Sequence, residues 1–130
     1  MPDHTFSPGF RLSKLDVLIL IVGLIASVAL SPSLPIVSLA IAVVVGHFFL
    51  FCNVFRVARW PEFIWAGVFL LVMADVILWQ RLSISLAVAV VLFTTLLVVG
   101  LEMRKPSYHG IFWQRLNPGL PQWWAERHEQ

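Results

Sequence analysis

Two ionisable side chains stand inside long apolar runs, where such groups are costly and where chemistry is usually sought. His47 lies between Val45-Gly46 and Phe48-Phe49-Leu50-Phe51, and Asp75 lies in Leu71-Val72-Met73-Ala74-Asp75-Val76-Ile77-Leu78. An imidazole at such depth can bond a neighbouring helix, serve as axial ligand to a haem or chlorin, or carry a proton. Gly46 would let a flat macrocycle approach, with Phe48, Phe49 and Phe51 lining its pocket. A carboxyl in hydrocarbon is disfavoured as an anion. Asp75 is therefore expected protonated, either bonded to a serine or backbone carbonyl or acting as a proton- or cation-coupled transport site.

Depth decides which of these groups can meet. His47 is 12 residues past Pro35, about 18 Å into its helix at 1.5 Å per residue. Asp75 is 14 residues past Pro61, about 21 Å in from the opposite boundary and so roughly 9 Å from the far one. The two differ by about 9 Å in depth, which predicts no direct ion pair. Thr94 and Thr95 fall level with His47, and Ser27 is the level-matched partner expected for Asp75.

A second polar group surrounds the connection after His47: Asn53, Arg56, Arg59 and Glu62. Arg59 and Glu62 are placed to pair across the turn, with Asn53 accepting from Arg56 or capping exposed backbone. The alternative is that these residues hold an anionic lipid headgroup. Small residues recur as Ser38, Ala42 and Gly46 on one stretch and as Gly23 and Ser27 on another. Such faces allow close helix approach, within the chain or in a homo-oligomer.

The elements that position these residues follow from hydropathy. Of the 130 residues, 59% are hydrophobic and 12% charged, against about 25% charged in soluble domains. The charges leave four apolar runs, each near the roughly 20 residues that cross a bilayer. The predicted spans are 15–31, 35–55, 61–80 and 83–102. Residues 1–14 form an N-terminal segment, and 103–130 form an aromatic tail for the membrane surface or a partner. Short connections make neighbours antiparallel. The expected fold is an all-α, four-helix, up-down-up-down transmembrane bundle.

Lys and Arg number two before the first run, two after the second and four in the tail, against one in the turns after the first and third. The positive-inside rule then places both termini in the cytoplasm, in a membrane of inner-membrane type. Basic residues that flank apolar runs are topology determinants, so the net charge of +2 does not point to nucleic acid. Cys52 is the only cysteine, so no internal disulfide forms. His4, His47, His109 and His128 are scattered, and no catalytic constellation or phosphate loop is present. The sequence reads as a non-enzymatic accessory or scaffold subunit in the bilayer, contacting a membrane-protein partner or a second copy. A His47 cofactor carrier and an Asp75 proton-coupled transporter are the alternatives.

Overall fold

The computed structural model describes residues 5–129, so His4 and Gln130 fall outside it. It is all-α, with six helices and no strand among the described residues: α1 Lys14–Leu30, α2 Pro35–Phe49, α3 Arg59–Ala74, α4 Ile84–Met103, α5 Trp113–Leu116 and α6 Leu120–His128. α2 and α3 each continue into a π-helical turn, Leu50–Val54 and Asp75–Trp79. With those turns, three helices are long and apolar enough to cross a membrane: Pro35–Val54, Arg59–Trp79 and Ile84–Met103. α1, at 17 residues, is shorter.

Local chemistry sets the helix ends. Ser13 and Asp16 form a reciprocal capping box at the start of α1, the Asp16 N–H donating to Ser13 Oγ at 3.2 Å and the Ser13 N–H to Asp16 Oδ2 at 2.7 Å. Ser83 Oγ accepts the Leu86 N–H at the start of α4. α3 begins at Arg59, not at Pro61. Pro61 still falls in the first turn, where its missing N–H has no helical acceptor to lose. Gln80, at φ 51°, stops the π turn of α3 in the left-handed region.

The helices form two antiparallel hairpins, α1 along α2 and α3 along α4. In the first, a Cβ on Gly23 would lie 2.6 Å from Val45 Cγ2, so only glycine permits the approach. Ser27 and Ser38 lock the same seam, Ser38 Oγ donating to the Ser27 carbonyl at 2.6 Å and Ser27 Oγ to the Ser38 carbonyl at 3.0 Å. In the second, Trp65, Phe69, Val72 and Val76 pack against Ala87, Val91, Val98 and Val99. Phe51 of α2's π turn joins that core.

The chain termini and the α2–α3 connection share one end of the bundle, here the termini end; the turns at 31–34 and 80–83 mark the turn end. At the termini end the tail folds back onto its own chain instead of standing off as a separate surface element. The Gly9 N–H donates to the His109 carbonyl at 2.7 Å, and the Ile111 N–H to the Val54 carbonyl at 2.8 Å. Tyr108 is 1% exposed and Leu120 fully buried. Gly110 sits so close to the Phe55 carbonyl that a Cβ would come within 2.5 Å of its oxygen.

Candidate functional site

His47 is where the hairpins join. Its Nδ1 lies 2.8 Å from the Val43 carbonyl oxygen. A carbonyl only accepts, so Nδ1 carries the proton. Nε2 lies 2.7 Å from Thr95 Oγ1 on α4, and Trp65 Nε1–H of α3 donates to the same oxygen at 2.9 Å. The imidazole stacks on Trp65 with centroids 4.4 Å apart, and Phe51 meets both rings edge-on. Three elements are thus cross-linked through one buried hydroxyl. The expected His-to-Thr bond is present and falls on Thr95; Thr94 bonds the Val90 carbonyl of its own helix.

Thr95 Oγ1 is also 2.8 Å from the Val91 carbonyl of its own helix. Axial ligation has no place here: both ring nitrogens of His47 are engaged and the indole covers one face of the ring. The residues around His47 therefore do not fit a haem or chlorin, and Gly46 opens to the outside of the fold instead of toward the ring.

Asp75 has other partners than those expected. Its Oδ1 takes Arg81 Nε at 3.1 Å and its Oδ2 takes the Leu82 N–H at 2.9 Å. Its partners are thus a guanidinium and a backbone donor, and the expected bond to Ser27 is not formed. Ser27 is engaged with Ser38. The cause is local: the π turn and left-handed Gln80 swing Arg81 and Leu82 back over Asp75, so the group clamps the α3–α4 turn.

At the termini end, Asn53 is 1% exposed and joins two elements. Oriented with its amide nitrogen toward α1, it donates to the Arg11 carbonyl at 2.8 Å and to Asp16 Oδ2 at 3.0 Å. It does not accept from Arg56, whose Nη1 donates to the Ser7 carbonyl. Arg59 and Glu62 form no ion pair: the two ion pairs among the described residues are Arg81–Asp75 and Lys105–Glu102. Both residues lie in the first turn of one helix, and Glu62 faces the Cys52 thiol, 3.9 Å away. Of the small-residue face on α2, Ser38 is buried against α1, whereas Ala42 and Gly46 are exposed.

Between the hairpins at the turn end lies an apolar groove of about 540 Å³, open mouth included, lined among others by Ile36, Val43, Phe69, Val76, Ala87 and Val91, with His47 at its inner limit. Sequence reasoning did not single out Trp65, Tyr108 or the Asp16–Asn53 link. A tryptophan within the first two turns of a helix reads as an interfacial anchor, and only the tertiary pairing reveals it as core. The chain matches no protein-family model, no curated protein and no solved structure.

Proposed function

We propose that this is a four-span integral membrane protein, up-down-up-down with both termini cytoplasmic, that acts by association as a non-catalytic accessory or scaffold subunit of an inner-membrane complex. α1 supports the fourth span. Its 17 residues extend about 25 Å, and it exposes Leu18, Leu24, Ile25 and Val28 on its open sides. A helix apolar all round belongs in lipid. Eight of the nine Lys and Arg gather at the termini end, with Arg81 alone at the turn end, which supports the orientation.

One observation carries the functional reading. The interior polar side chains, His47, Thr95, Ser27, Ser38 and Asn53, bond within the chain, while the outward helix faces are apolar. What the chain offers its surroundings is surface. Extraction from the native membrane in mild detergent tests this: a companion protein in fixed stoichiometry is expected, and a lone stable monomer rejects the reading. Gly46→Leu sharpens it. A Cβ there meets nothing within 4 Å, so the monomer tolerates the change, and loss of the companion places the contact on the exposed Ala42–Gly46 strip.

A further inference from the structure

The termini end holds a guanidinium with no acid paired to it among the described residues. Arg56 sits in the α2–α3 connection at φ 49°, in the left-handed region that residues other than glycine rarely adopt. Its side chain is half-buried, and one N–H reaches the Ser7 carbonyl. Arginine has five N–H donors, and those not engaged with Ser7 have no partner among the described residues. Neither ion pair among those residues includes Arg56. Burial, joined by the charge of Arg11, pushes its pKa below the usual guanidinium value. Asp16, which also feels Arg11, is already taken by Ser13 and Asn53.

Arg56 walls a pocket of about 270 Å³, open mouth included, together with Thr5, Phe6, Ser7, His109 and Trp124. Among the described residues no carboxylate lines it. The Thr5 and Ser7 hydroxyls make no hydrogen bond within the described residues, and His109 holds the Ser107 carbonyl through Nδ1, leaving Nε2 free of that bond. Phe6 packs against Trp124 at 5.6 Å and gives the pocket an apolar side. The pocket borders the end of α2 and the start of α3, where Trp60 and Phe63 are 79% and 64% exposed in the manner of interfacial anchors.

We propose that this pocket binds a phosphate-bearing anion, with Arg56 as its main donor and the Thr5 and Ser7 hydroxyls completing the shell. Its place at the bilayer boundary makes the phosphate of an anionic phospholipid headgroup the expected source, with soluble phosphate as the other. The proposal rests on the membrane-spanning reading. The two fail separately: membrane insertion is scored by the need for detergent to extract the protein, and the pocket by what the extracted protein retains.

The test uses the full chain in a neutral detergent, titrated with phosphatidylglycerol, phosphatidylcholine or inorganic phosphate and read by native mass spectrometry. Phosphatidylglycerol is expected to be retained over phosphatidylcholine. Arg56→Gln should weaken that retention about tenfold, the loss of one charge-assisted contact, and Arg56→Lys by less, because a point charge replaces the fork. Displacement of the lipid by millimolar phosphate supports the same site and assigns the soluble source. Equal retention of the two lipids, or retention unchanged in both Arg56 variants, overturns the proposal. Arg56→Lys keeps the charge, so the test stands even where Arg56→Gln unfolds.

Discussion

At the termini end the two hairpins are stitched by His47, Trp65, Phe51 and Thr95, and the tail closes over the stitch. At the turn end α2 meets α3 and α4 through the apolar side chains Ile36, Ala40 and Val43 beside an apolar groove, and the polar groups there act within a hairpin: Ser27 with Ser38, Asp75 with Arg81 and Leu82. The difference shows where a small membrane bundle gains a unique arrangement. Apolar helix faces have no hydrophobic preference for one another over lipid, so packing and directed hydrogen bonds must decide who neighbours whom. Here those directed contacts between hairpins cluster at one end.

The largest effect is therefore expected at Trp65. Trp65→Ala removes a ring 5% exposed, its stacks on His47 and Phe69, and the N–H to Thr95. Truncation of a buried tryptophan costs about 3–5 kcal/mol. Trp65→Phe keeps most of the packing and loses mainly the hydrogen bond, about 1 kcal/mol. Reversible unfolding in mixed micelles checks both. If Val76→Ala, on the groove side, destabilises as much as Trp65→Ala, the two ends are equivalent and the contrast fails.

Gly110 comes next and tests whether the tail is part of the fold. Its substitution by alanine places a Cβ 2.5 Å from the Phe55 oxygen and 2.6 Å from the Tyr108 hydroxyl. One contact is backbone and the other belongs to a buried ring, so neither yields easily. Such overpacking costs about 1–3 kcal/mol. Limited proteolysis should cut the Gly110→Ala tail sooner while the long helices persist. Gly46→Ala, with open space around it, serves as the control and should leave the pattern unchanged.

Tyr108 gives the pH signature of the same closure. Burial, with Glu102 nearby, pushes its pKa up to about 12. A phenol whose folded pKa exceeds the usual value of about 10 binds its proton more tightly in the folded state. The stabilisation is thus complete below about pH 10 and disappears as pH rises toward 12. Ultraviolet titration should show tyrosinate only near the top of that window, accompanied by release of the tail. Ionisation near pH 10 with the tail still docked would place the hydroxyl in solvent.

The three helices long and apolar enough to cross a membrane were legible because each is a local property, an apolar run bounded by charge, proline or a capping serine. Thr95 was legible too, since rise per residue fixes depth and His47 had few polar neighbours at that level. Depth arithmetic failed at Asp75 because it assumes a straight α-helix, and a π turn followed by a left-handed residue brings later donors back over the carboxylate. The link from Asn53 to Arg11 and Asp16 spans some 40 residues of sequence, and no periodicity announces it. The tail was read from its aromatics as a membrane or partner surface. Its attachment depends on backbone bonds from Gly9 and Ile111, which side-chain patterns do not encode.

The smallest effect is expected at Asp75, although an acid in an apolar run first drew the eye. Arg81 is 71% exposed, so the ion pair is partly in water, and such pairs contribute about 0–1 kcal/mol. Asp75→Asn keeps an oxygen for the Leu82 N–H and loses the charge. Its expected cost is below about 1 kcal/mol, less than that of Trp65→Ala by several-fold. The same unfolding assay measures it, and added salt should narrow the gap between wild type and variant. A loss of several kcal/mol, or one that salt does not touch, would mean the turn end is held by a desolvated charge. The asymmetry between the two ends would then be one of chemistry alone and not of strength.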